Sequence, residues 1–313
     1  MTLRPVTTLH YQSLLQRALS TPWAIEREKL HDIVEFLSAK AAGDLVADAQ
    51  FFEEEAAAHE PTTRGTTRII PMHGTIAMRG SRMARSSGLV SAEAVGQELD
   101  HAAADRTVGQ IILDIDSPGG AVVGIEELAA KVRAATESKR VIAYANATVA
   151  SAAYWVATQA DEIVATPSAR LGSIGVIGMH QDMSGALQKR GVAVTIIKAG
   201  KHKGEGNPFG PLSDEDRDAF QARVDHAYEQ FIDAVAQGRG VKADDVRNGF
   251  GQGRIVLARE AVRLGMADRI ATYEELLSPG GGAKQGTRLA AQSRAEFLKG
   301  LAAEIRDTTE ALR

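Results

Sequence analysis

The stretch Val108-Gly109-Gln110-Ile111-Ile112-Leu113-Asp114-Ile115-Asp116-Ser117-Pro118-Gly119-Gly120 decides how this chain is read. Val108 to Ile115 is a short, nearly unbroken apolar run, as expected of a strand covered on both faces. Asp116 to Gly120 ends it with turn residues, and a helical pattern follows from about Val122 to Ala135. Strand, tight turn and helix make one half of a βαβ unit.

The same alternation continues outward. Downstream, strands are predicted at Arg140–Ala145, Glu162–Ala165, Ile174–Ile177 and Val192–Ile197, with helices at Ala150–Ala160 and Ala186–Arg190. Upstream, Arg68–Ile76 reads as a strand broken at Pro71, and Val95–Ala104 as a helix. This predicts an α/β fold around a mostly parallel sheet. A long helix is expected from Ser213 to Gln237, opened by a capping pattern at Ser213-Asp214-Glu215-Asp216, and a smaller αβ unit over Lys242–Ile270.

The flanks differ in composition. Residues 1–50 carry apolar positions at helical spacing, and Glu53 to Gly65 reads as a polar linker. Pro279-Gly280-Gly281-Gly282 marks a flexible break, after which residues 287–313 resume a helical pattern. The expected division is a helical extension and linker over 1–65, a main domain over 66–277, and a linker with a terminal helix over 278–313.

Bulk properties remove several classes of function. The chain has 313 residues, 44% hydrophobic and only 5% aromatic, with a net charge of -4. A mixed, slightly acidic charge gives no nucleic-acid footprint. The sequence contains no cysteine, which excludes disulfides, thiol nucleophiles and thiolate metal sites. No run reaches the ~18 apolar residues of a bilayer span, and Met1 to Ala24 lacks a secretory h-region. The reading is a soluble protein with no membrane partner. No metal-ligand spacing or phosphate-binding fingerprint is present.

Three loops carry chemistry when taken together. Asp116-Ser117-Pro118-Gly119-Gly120 can aim backbone N–H groups at one point, as an oxyanion hole requires, though alone it reads as a plain turn. Ser151, in Ala150-Ser151-Ala152-Ala153-Tyr154, sits at a helix start among small residues; alone it reads as a capping serine. Lys203 lies in Gly200-Lys201-His202-Lys203-Gly204-Glu205-Gly206-Asn207-Pro208; an isolated lysine there is normally a solvated charge. Burial disfavours an ammonium, and a neutral lysine can take a proton from serine. His73 and His180 read as ordinary surface or core residues without an acidic partner at a recognisable spacing, and His202, next to Lys203 on an extended segment, points to the opposite side.

Those loops, in that order, resemble the signal peptide peptidase A family of serine-lysine proteases. The likeness rests on the apolar strand before Ser117-Pro118-Gly119-Gly120, on Ala150-Ser151-x-x-Tyr154, on Gly172-Ser173-Ile174-Gly175-Val176 and on the Gly200-x-x-Lys203 loop. It runs from about Arg68 to Ile270. Within the family, the His202-Lys203-x-x-Gly206-Asn207-Pro208 segment and Ala261–Ala267 most resemble head-maturation proteases of tailed phages, the lambda minor capsid protein C type.

The resemblance implies the Clp-protease/crotonase fold, a superhelix of βαβ units around a mostly parallel sheet, here with helical N- and C-terminal extensions. It implies Ser151 as nucleophile, Lys203 as general base with Lys201 as the nearby competitor, and Ser173 as the residue that orients the base. Gly120 and the Ser151 backbone N–H match the oxyanion hole, with Gly119 as the alternative. Ala152-Ala153 depart from relatives that carry glycines there. No cofactor is needed. The implied substrates are scaffold and capsid proteins, including this chain itself, cut by a ring-like homo-oligomer in a host cytoplasm or prohead. The rival readings are a crotonase-like acyl-coenzyme A enzyme and an inactive assembly protein.

Overall fold

The decisive apolar run forms the middle strand of a parallel sheet in the computed structural model, which describes residues 8–43, 60–79 and 88–278. In chain order these form α1 (Thr8–Ser20), β1 (Trp23–Ile25), α2 (Arg27–Ala41), β2 (Thr62–Arg64), β3 (Thr67–His73), β4 (Thr75–Ala77) and β5 (Leu89–Ser91). Then come α3 (Ala92–Ala104), β6 (Gln110–Ser117), β7 (Gly119–Ala121), α4 (Ile125–Thr136), β8 (Arg140–Ala150), α5 (Ala152–Ala157), β9 (Glu162–Ala165) and β10 (Arg170–Gly172). The remainder is α6 (Ser184–Lys189), α7 (Asp214–Arg239), α8 (Ala243–Gly249), β11 (Ile255–Leu257), α9 (Ala258–Arg263), β12 (Arg269–Ile270) and α10 (Tyr273–Leu277).

β6 pairs in parallel with β3 on one side and β8 on the other. Successive side chains alternate across the pleat. Ile111 and Leu113 join Val141 and Ala143 in the main core, while Ile112 joins Ile142, Tyr144 and Val164 in a smaller cluster with Ala271 and Leu276. Both faces are therefore covered, which is why the run is continuously apolar. β8 changes partner along its length: Ile142–Ala145 pair with β9, and Thr148–Ala150 with β10. That change carries the strand beyond the sheet's main body and delivers Ser151 at its end.

The helices pin this strand end. α5 is wholly buried, and Trp155 stacks on Phe231 of α7 at 5.0 Å between ring centroids. Tyr154 donates its hydroxyl to Met266 O at 2.9 Å. Ser213 caps α7 by accepting from Asp216 N at 3.1 Å, as its sequence predicts. Arg239, near the far end of α7, makes a buried fork onto Asp268 at 2.8 and 3.0 Å.

Several expectations are corrected. β3 runs unbroken through Pro71 and stops at Gly74; β2 pairs only with residues 67–69, so Pro71 lies at an open edge where a missing N–H costs nothing. Residues 62–64, expected as linker, form β2, a hairpin arm on β3 that crosses position 65. Trp23–Ile25, expected within a helical stretch, is a strand. Ile174–Ile177 is not a strand, although Ile177 bridges Trp23. Val192–Ile197 forms no strand either: it alternates correctly but finds no partner, and Ile197 is 95% exposed. The break after Ser278, the helix expected over 287–313 and the start of the expected linker lie outside the described residues.

Candidate active site

Ser151 joins β8 to α5 with φ 54 and ψ -120, a conformation that L-residues adopt at a cost of about 1–3 kcal/mol. Two bonds hold the backbone there. Its N–H donates to Gly172 O at 2.7 Å, and its carbonyl accepts from Trp155 N at 3.0 Å. The hydroxyl makes no helix cap. It donates instead to Gly175 O at 3.3 Å. A capping serine would direct its oxygen at the helix N–H groups, so the plain structural reading of this residue fails. Ala152 and Ala153 are fully buried, and their small side chains suit the crowded helix start.

Gly119–Ala121 is a strand rather than the expected turn, set between β4 and β1. A Cβ on Gly120 would meet Ile76 O at 1.9 Å. Gly119 has φ 101, and a Cβ there would lie 2.3 Å from Ala24 O and 3.0 Å from Ser151 Cβ. Glycine is thus required at both positions by close backbone approach. The Gly119 N–H is bound by Ser117 Oγ at 3.2 Å. The bonds Glu26 N to Pro118 O (2.9 Å) and Val122 N to Pro22 O (3.3 Å) flank the Ala24–Gly120 pair. Antiparallel pairs alternate, so Ala24 and Gly120 form the hydrogen-bonded pair between them, with the Gly120 N–H on Ala24 O.

Ser173 stands beside Ser151. Gly172 pairs with Ala150, so each serine follows directly on a paired strand end. Ser173 also has positive φ, at 50, and its N–H donates to Arg254 O at 2.9 Å.

The lysine loop is not hydrogen-bonded to this cluster among the described residues. Lys203 is exposed, with its N–H on Gly200 O at 3.2 Å, and among the described residues no hydrogen bond joins it to Ser151 or Ser173. The burial expected to neutralise it is absent from the single chain. Lys201 pairs with Glu215 at 2.6 Å, and this hydrogen bond raises its pKa above the ordinary lysine value, the wrong direction for a base. His202 pairs with Glu205, and His180 contacts Asn207 O at 3.0 Å. The loop is thereby ordered through its neighbours, with Asn207 Nδ2 donating to Gly204 O at 2.8 Å.

Sequence reading missed a polar cluster. His73 Nε2 lies 3.3 Å from Asp114 Oδ2, brought there by the β3–β6 register. Asn146 Nδ2 donates to Asp114 Oδ1, and Thr148 N to Asp116 Oδ1, each at 3.0 Å. Burial pulls the His73 pKa down, but the hydrogen bond and charge of Asp114, with Asp116, outweigh it and the net shift is upward. These contacts fix β8 where it changes partner. Among the described residues no group of His, Asp and Glu side chains could hold a metal ion.

The sequence model described as peptidase family S49 matches residues 133–280, which include Ser151, Ser173 and Lys203. Capsid assembly protease C of Escherichia phage lambda is 32% identical over 210 residues, 67% of this chain and 47% of that protein. Head-tail preconnector protein GP5 of Enterobacteria phage P21 is also 32% identical over 210 residues, 67% of this chain and 42% of its own length. Protease 4 of Haemophilus influenzae is 27% identical over 215 residues, 67% of this chain and 33% of that protein. The chain therefore spans about half, or less, of the length of these relatives. The resemblance to the signal peptide peptidase A family and its phage capsid proteases is borne out, and the α/β architecture is the Clp-protease/crotonase-like fold of that family. Residues 133–280 of this chain thus carry a peptidase family S49 domain.

Proposed function

We propose that the chain is an endopeptidase in which Ser151 is the nucleophile and Lys203 the general base, within a catalytic domain over residues 66–277. The observation that carries this is the Ser151 geometry: a strained, fully buried serine at a strand-to-helix junction whose hydroxyl caps nothing. Lys203 Nζ takes the hydroxyl proton as Oγ bonds to the substrate carbonyl carbon. The carbon–nitrogen bond then breaks, the proton passes to the leaving amine, and water hydrolyses the ester with Lys203 again as base. No cofactor enters these steps.

The oxyanion hole is assigned to Gly120 and to Ala152 rather than to the Ser151 amide, which is committed to Gly172 O. Ala152 is the first residue of α5, so its N–H has no acceptor within the helix. Ser173, one residue beyond the strand end that pairs with Ala150, is assigned the role of orienting the base.

Lys203 is exposed on its own chain, and the loop before it presents Val192, Val194, Ile196 and Ile197 to solvent. Both features support a homo-oligomer in which a neighbouring copy supplies the lysine and buries it. Capsid and scaffold proteins are the substrate class, by analogy with the relative named a capsid assembly protease. That assignment places the enzyme in a host cytoplasm or prohead. Hydrolysis of casein by the wild type, and its absence in Ser151→Ala, tests the peptidase assignment; equal hydrolysis by both ends it.

A further inference from the structure

A peptide cut by Ser151 must lie extended beside it, with a carbonyl on the Gly120 N–H. β7 is the strand edge nearest the nucleophile, since Gly119 packs against Ser151 Cβ. One edge of β7 is taken by β4. The other edge faces Ile177 across a slot one strand wide, and β1 fills that slot. Trp23 exchanges both main-chain bonds with Ile177, at 2.9 and 2.8 Å. On its other side β1 runs antiparallel to β7, with Trp23 opposite Ala121, Ala24 opposite Gly120 and Ile25 opposite Gly119. The Ala24 carbonyl thus holds the amide that the mechanism assigns to the oxyanion, and it crowds the same Gly119 position as Ser151 Cβ.

We infer that the slot between Gly119–Ala121 and Ile177 is the binding site for an extended peptide, and that Trp23–Ile25 is a tethered occupant which substrate must displace. This rests on the assignment of Ser151 as nucleophile. The exchange is balanced, because an incoming strand replaces the main-chain bonds of β1 one for one on both walls. What opposes it is the burial of Ala24 and Ile25, which an incoming peptide with small or apolar side chains at those positions would restore. β1 has only three residues. Its side-chain anchors are Trp23 Nε1 on Ala18 O at 2.7 Å, inside the same N-terminal unit, and Glu26 on Arg170 at 2.8 Å. The Glu26 side chain is largely covered, and desolvation raises its pKa against the lowering by Arg170. α1 and α2, on either side of β1, meet each other through Tyr11 and Phe36 at 6.4 Å, and α2 buries only Leu30 and Lys40. The unit can therefore shift as one piece.

A reversible lock tests this. The chain has no cysteine, so Trp23→Cys with Ile177→Cys gives a single candidate disulfide across a hydrogen-bonded antiparallel pair, where Cα atoms lie about 5.5 Å apart. Two readouts are taken on oxidised and reduced protein. The first is labelling by a serine-directed fluorophosphonate; the second is anisotropy of fluorescein-labelled β-casein with the same pair placed in Ser151→Ala. Oxidation should abolish casein binding and slow labelling, and reduction should restore both. Equal casein binding in the two redox states overturns the inference. Redox-dependent binding without labelling in any form keeps the slot and removes the nucleophile assignment instead. Ala24→Pro works in the opposite direction: it deletes the Ala24 N–H and should raise casein affinity about fivefold, the worth of one main-chain hydrogen bond. Unchanged or weaker affinity in folded Ala24→Pro protein also counts against the inference.

Discussion

The Ser151 N–H donates to Gly172 O at 2.7 Å, tying the end of β8 to the segment that carries Ser173. Gly172 can serve there only as glycine: φ is 101, and a Cβ would come within 2.9 Å of Met266 Cε. Gly172→Ala should lower stability by about 1–2 kcal/mol through the unfavourable φ. It should also reduce peptidase turnover by at least about tenfold, because Ser151 loses its register. Urea denaturation and casein hydrolysis, measured on one preparation, check the two effects separately.

The two lysines of the loop should behave differently. Lys201→Ala removes only a solvent-screened surface pair with Glu215, and activity should stay near wild type. Lys203→Ala should lose nearly as much activity as Ser151→Ala, since nucleophile and base act as a unit. If the lysine comes from a neighbouring copy, co-refolding Ser151→Ala with Lys203→Ala should restore roughly a quarter of wild-type activity, from interfaces that pair two intact halves. No recovery on mixing, together with activity in a demonstrated monomer, would falsify the shared site.

The His73–Asp114 pair gives a pH signature. The folded His73 pKa is raised above the ordinary histidine value. Its stabilising contribution is therefore complete below that ordinary value, about 6.5, and disappears as pH rises through the folded one. A quarter of the imidazole is exposed, which limits the effect to below about 1 kcal/mol. The urea midpoint should fall between about pH 6 and about pH 8, and His73→Gln should flatten that slope. A slope unchanged in the variant assigns the titration elsewhere.

Cut sites should report the register of the slot. Ala24 is fully buried opposite Gly120, so a peptide in the same place meets a position sized for a small side chain. Mass spectrometry of casein digests should show cleavage after alanine, glycine or serine, and the enzyme should trim its own ends at such residues while Ser151→Ala stays full length. Cleavage mainly after large residues would place the reacting carbonyl elsewhere, and identical nicking of both proteins would remove self-processing.

Where apolar periodicity was strong, sequence and structure agree. β6, β9, α3 and α7 fall near their expected places, because covered parallel strands and capped helices write themselves into local pattern. Val192–Ile197 shows the limit: alternation reveals a strand-capable segment but not whether a partner edge exists. Trp23–Ile25 was hidden for the converse reason. Three residues are too few for a period, and only Thr21-Pro22 before an aromatic and a β-branched residue hinted that the helix stops. The Asp114 partner of His73 lies on another strand, where spacing along the chain carries no signal. Ser151 and Ser173 were legible through motif, whereas the commitment of the Ser151 amide to Gly172 O is a tertiary fact.

The proposed hydrolysis depends on Ser151 being an activated nucleophile. Incubation with a fluorophosphonate probe, followed by tryptic peptide mass spectrometry, measures this directly. The account predicts one dominant adduct, located on Ser151, absent from Ser151→Ala and strongly reduced in Lys203→Ala. No adduct on Ser151 in an assembled protein that hydrolyses casein, or an adduct on a different serine, would contradict it.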